Sequence, residues 1–100
     1  MQRLAEPTDI KTANNNTPWA DFYPQAEALI RQRFGRFNVN TMFGAESCRN
    51  GIAFGLYMIH RGLQTEEFTN RCMEREYRQL ERKLTYAKEI GWKPSISEVK

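Results

Sequence analysis

The stretch TEEFTNRCMEREYRQLERKLTYAKEIG, residues 65–91, decides the fold class of this chain. Thr65 stands where a helix N-cap is wanted, because its hydroxyl can accept from a backbone N–H that the first turn leaves without a partner. Glu66 and Glu67 follow in the turn whose exposed N–H groups carry partial positive charge, and Gly91 with Pro94 beyond it marks the end. Between these signals Met73, Tyr77, Leu80, Leu84 and Ala87 recur at intervals of four and three, so one face of the helix is apolar. A helix of about 25 residues is roughly 37 Å long. That length overhangs a domain whose radius of gyration should be about 13 Å, so part of the helix is expected to be available for contacts.

Outward toward the N-terminus, residues 45–60 predict a second helix, with Cys48, Ile52, Leu56 and Ile59 on one face and Gly62 as its stop. Asn50-Gly51 is its weak point, since that dipeptide favours a turn and Asn50 could instead cap a later start. Gly51 and Gly55 share a face and would let another helix pack closely. A third helix runs to Phe34 with Ala26, Leu29 and Ile30 on its apolar side and Gly35 as its stop, begun either at Thr17-Pro18 or at Tyr23-Pro24. In residues 36–43, Phe37, Val39, Thr41 and Phe43 alternate with Arg36, Asn38, Asn40 and Met42. This period of two fits an extended connection rather than a strand, because no second strand offers a partner. The class is therefore mainly α: a small three-helix domain over residues 17–94, with a flexible arm over 1–16, where Asn14, Asn15 and Asn16 stand together, and a tail over 95–100. A hidden strand pairing with 36–43 would make it α+β.

A chain of 100 residues suits one core. A hydrophobic fraction of 40% allows a modest one, and a mean hydropathy of −0.73 leaves much of the chain facing water. The longest apolar stretch, within residues 51–59, is too short to cross a membrane, and no secretory segment precedes Cys48 and Cys72. Reduced thiols and a cytoplasmic location are expected. Fifteen basic residues against twelve acidic ones give a net charge of +3, which permits nucleic-acid contact without requiring it.

The sequence holds no metal-ligand spacing, no glycine-rich phosphate loop and no nucleophile elbow around Ser47, Ser95 or Ser97, and His60 is the single histidine. No catalytic residue, metal or cofactor is expected. Arg71, Arg75, Arg78 and Arg82 instead fall within a sector of roughly 60° at about 100° per residue, almost opposite the apolar face. The planar fork of arginine suits carboxylates and phosphates alike. Glu67, Glu74 and Glu81 run beside this stripe every seven residues, and the mixed row fits a protein partner better than a bare phosphate backbone.

Trp19 and Trp92, just outside the two ends of the helical region, are candidate interface anchors. Arg31, Arg33 and Arg36, interleaved with Phe34 and Phe37, form the alternative nucleic-acid surface. Met73, Tyr77, Leu80 and Leu84 could pair two copies of the chain. The expectation is a small non-catalytic regulatory or adaptor protein that docks on a larger protein, such as a component of a nucleic-acid-processing complex. Direct nucleic-acid binding is the alternative.

Overall fold

Proline has a fixed φ and no N–H to lose, so it opens helices at little cost. Both prolines in question do so. The computed structural model, which describes residues 17–94, has a 3-10 helix over Pro18–Phe22 that runs directly into α1 (Tyr23–Phe34), with Pro24 in its first turn. Helix α2 follows over Ala45–His60 and α3 over Glu66–Ile90. The described residues contain no strand. The proposed arm over 1–16 and tail over 95–100 lie outside them.

The termini of α3 form for the reasons its sequence suggests. Phe68 N–H donates to Thr65 Oγ1 at 3.1 Å, which supplies the N-cap. At the other end Gly91 takes φ 70°, a left-handed conformation that costs a residue without Cβ little. Gly91 N–H then donates to Lys88 O, and Trp92 N–H to Ala87 O at 2.8 Å. This closing pair of hydrogen bonds fixes the backbone of Trp92 against the last turn.

Helix α2 is central and packs against the 3-10 helix, α1 and α3. Ile30, Ile52, Ala53, Met42 and Leu80 are core residues, and Trp19 is buried among them at 2% exposure. Asn50 does not cap or break α2. It lies inside the helix, 4% exposed, where its Oδ1 accepts from Trp19 Nε1 at 2.6 Å and Tyr23 Oη–H at 3.1 Å. The turn preference of Asn50-Gly51 is overridden because both residues are needed for packing. Beside Asn50, Arg49 reaches back to α1, with its guanidinium 4.1 Å from the Tyr23 ring centroid and Nη1 donating to Glu27 at 3.2 Å.

The expected glycine face of α2 meets α3. A Cβ on Gly55 would stand 3.0 Å from Thr69 Cγ2 and 3.5 Å from Met73 Cγ. Thr69 is fully buried and cannot retreat. Gly55→Ala is therefore expected to lower stability by about 1–2 kcal/mol, as an overpacking cost of ~1–3 kcal/mol exceeds the ~0.5–1 kcal/mol gained by the helix. Urea unfolding measures it.

Residues 36–38 have no regular structure, and residues 39–43 form turns and a bend. Asn38 Oδ1 accepts from Asn40 N–H at 2.8 Å and Asn38 O accepts from Met42 N–H at 2.9 Å, so local hydrogen bonds replace extension. The alternation expected there is not kept. Met42, on the side shared with Arg36 and the asparagines, is 1% exposed in the core, whereas Val39 faces solvent.

Candidate functional site

The core claims one face of α3 from Thr69 through Met73, Tyr77, Leu80 and Leu84 to Ala87. Leu80 is 1% exposed, and Met73, Tyr77 and Leu84 pack against the same cluster. The apolar seam thus joins α3 to its own domain, leaving homo-oligomerisation through Met73, Tyr77, Leu80 and Leu84 no free face.

Arg71, Arg75, Arg78 and Arg82 lie on the opposite, solvent-exposed side. Shallow grooves run along them, one of about 530 Å³ between Arg71, Arg75, Gln79 and Arg82, the next of about 510 Å³ between Arg78, Arg82, Tyr86 and Glu89. Two arginines are loosely paired within the helix, Arg71 to Glu67 and Arg78 to Glu74, each at 3.5 Å. Exposed pairs this long hold the charge only weakly. Arg75 and Arg82 make no ion pair among the described residues.

Glu74 is more firmly occupied by α1. Arg33 donates to both of its carboxylate oxygens, at 3.0 and 2.8 Å, and its guanidinium lies 4.8 Å from the Tyr77 ring centroid. The Arg33 hydrogen bond, joined by the charges of Arg33 and Arg78, holds the Glu74 carboxyl below its ordinary range. This fork spans 41 residues of sequence and ties the end of α1 to α3. It also removes Arg33 from the surface expected of Arg31, Arg33, Arg36 and Phe37. Phe37 packs partly against the core, which leaves Arg31 and Arg36 exposed but without the aromatic companion the sequence suggested.

Trp19 likewise corrects an expectation. Its ring stands edge-on to Phe54 at 5.1 Å and its indole N–H is satisfied by Asn50, so it anchors the core and offers no surface to a partner. Trp92 remains half-buried, with its ring 5.2 Å from Phe43. Periodicity could have revealed two further exposed residues. Phe68 and Tyr86, 45% and 52% exposed, flank the arginine stripe with Gln79, at spacings of 11 and 7 that return to one side of a helix.

Beneath α3, Glu76 sits over Gly51, where a Cβ would come within 2.5 Å of its carboxyl carbon. Burial raises the Glu76 pKa, and the charges of Lys83 and Arg75 offset this only in part. The neighbouring Cys48 thiol is pushed up to about 12, mainly by burial, and stays protonated at neutral pH. Because folding raises the Glu76 pKa, the folded state binds the proton more tightly than the unfolded chain. Its contribution to stability is fully present below the ordinary carboxylate pKa and falls as pH rises through the raised folded value. Glu76→Gln is expected to remove this pH dependence and to be more stable than the wild type above that window, as measured by thermal unfolding across pH.

Among the described residues no group of His, Cys, Asp and Glu could hold a metal ion, and no helix is long and apolar enough to cross a membrane. Neither a protein-family model, nor a curated protein, nor a solved structure matches the chain.

Proposed function

We propose that the chain is a non-catalytic adaptor or regulator that lays the outer face of α3 on a larger protein. The exposed arginine stripe opposite a fully used core face is the observation that carries this proposal. Arg75 and Arg82 are available to form new charge-assisted hydrogen bonds, while Arg71 and Arg78 need only exchange weak local pairs. A partner with carboxylates spaced along a helix or groove matches this row. Phe68 and Tyr86 at its margin supply apolar area that charge alone lacks. The helix is already ordered by its inner face, so docking requires little further loss of chain entropy.

The glutamates interleaved with the stripe favour a protein over a phosphate backbone. Glu67, Glu81 and Glu89 would each face a nucleic acid with like charge. Affinity capture from lysate, with and without nuclease, tests the choice on a variant carrying Arg71→Glu, Arg75→Glu, Arg78→Glu and Arg82→Glu whose circular dichroism matches the wild type. A nuclease-resistant protein captured by the wild type and lost in the variant is expected. Capture of nuclease-sensitive nucleic acid alone would reject docking and favour direct nucleic-acid binding.

A further inference from the structure

A second, separate feature lies where the connection 36–43 passes the end of α3. A cleft of about 340 Å³ opens there, within the ~300–1,000 Å³ common for small-ligand sites. Phe43 and Trp92 line it, with ring centroids 5.2 Å apart and planes tilted by 53°, and Leu84 contributes to its apolar wall. Arg36 and Lys88 are its charged residues, Thr41 adds a hydroxyl, and no acidic side chain lines it. Neither Arg36 nor Lys88 makes an ion pair among the described residues. The cleft is also held in place: the hydrogen bonds that end α3 fix Trp92, and the turn at Asn38 fixes the approach to Phe43. Those same bonds occupy the carbonyls of Ala87 and Lys88, which reduces the repulsion an anion would otherwise meet at a helix C-terminus.

We infer that this cleft binds a phosphate-bearing nucleobase unit, its base against Phe43 and Trp92 and its phosphate between Arg36 and Lys88. Aromatic rings accept any base on their π-face, while two cations in a cleft lined by no acidic side chain select an anion. An acidic peptide would satisfy the cations but leave the rings without a flat partner. The inference does not depend on docking through the arginine stripe, since the cleft shares none of Arg71, Arg75, Arg78 and Arg82.

The two tryptophans supply the readout in the full chain. Indole N–H signals of ¹⁵N-labelled protein are followed by NMR during titration with AMP, with adenosine, with inorganic phosphate and with a short single-stranded oligonucleotide. Trp92 is expected to shift with AMP or the oligonucleotide, while Trp19, bonded to Asn50 in the core, stays in place. A response to AMP identifies a free nucleotide as sufficient, whereas a response to the oligonucleotide alone identifies the polymer as the source. Arg36→Glu with Lys88→Glu is expected to weaken the response at least tenfold. The milder Arg36→Gln with Lys88→Gln weakens it less, and the charge-reversed α3 variant retains it. Silence of Trp92 toward both AMP and the oligonucleotide would overturn the inference. Equal responses to AMP and phosphate, equal responses to AMP and adenosine, or an undiminished response in the folded Arg36→Glu, Lys88→Glu variant would do the same.

Discussion

Asn50→Leu is expected to destabilise the fold by about 2–6 kcal/mol, because each of two buried donors left without an acceptor costs ~1–3 kcal/mol. Trp19 Nε1 and Tyr23 Oη both donate to Asn50 Oδ1, and these contacts attach the 3-10 helix and α1 to α2. Leucine keeps the branched outline of asparagine but is bulkier and accepts nothing. Against a typical domain stability of roughly 5–15 kcal/mol this loss is large. Trp19→Phe should cost less, since Asn50 still accepts from Tyr23. Urea unfolding monitored by circular dichroism orders the two variants, and an unchanged midpoint for Asn50→Leu would show that water replaces the lost acceptor.

Leu80→Ala is the second large effect. Leu80 is 1% exposed in the contact between α3 and α2, and truncating a buried leucine costs about 2–5 kcal/mol depending on how far the cavity collapses. The variant should unfold at lower denaturant with a midpoint independent of protein concentration. A self-associating seam predicts something else: a concentration-dependent wild-type transition and a folded, dissociated Leu80→Ala chain. Sedimentation velocity alongside the unfolding curves separates the two.

Features that depend on local chemistry were legible in the sequence. Thr65 and Gly91 bound α3 because capping is decided within a turn, and the four-three spacing of Met73, Tyr77, Leu80 and Leu84 identified its inner face. The same periodicity placed Arg71, Arg75, Arg78 and Arg82 on the outer face. Contacts between distant residues were not legible. Nothing near Arg33 in sequence announces Glu74, and nothing near Trp19 announces Asn50, since tertiary packing brings each pair together. The alternation over 36–43 misled for a different reason. Asparagine side chains hydrogen-bond their own backbone, and the resulting turns rotate Met42 into the core whatever the period of the hydrophobic residues. The cleft beneath Trp92 combines both difficulties, since Arg36 and Phe43 come from that connection and Lys88 and Trp92 from the end of α3.

The division of α3 into an inner face that folds the domain and an outer face that docks is tested most directly by site-specific photo-crosslinking. A photoreactive residue is placed at Arg75 or Arg82, and in a control at Gln32, which is exposed on α1. Nuclease-resistant crosslinks are expected from positions 75 and 82, carried by an acid-rich segment of one protein and lost at high salt, with none from Gln32. Equal crosslinking from Gln32, or crosslinks to nucleic acid alone, would contradict this division.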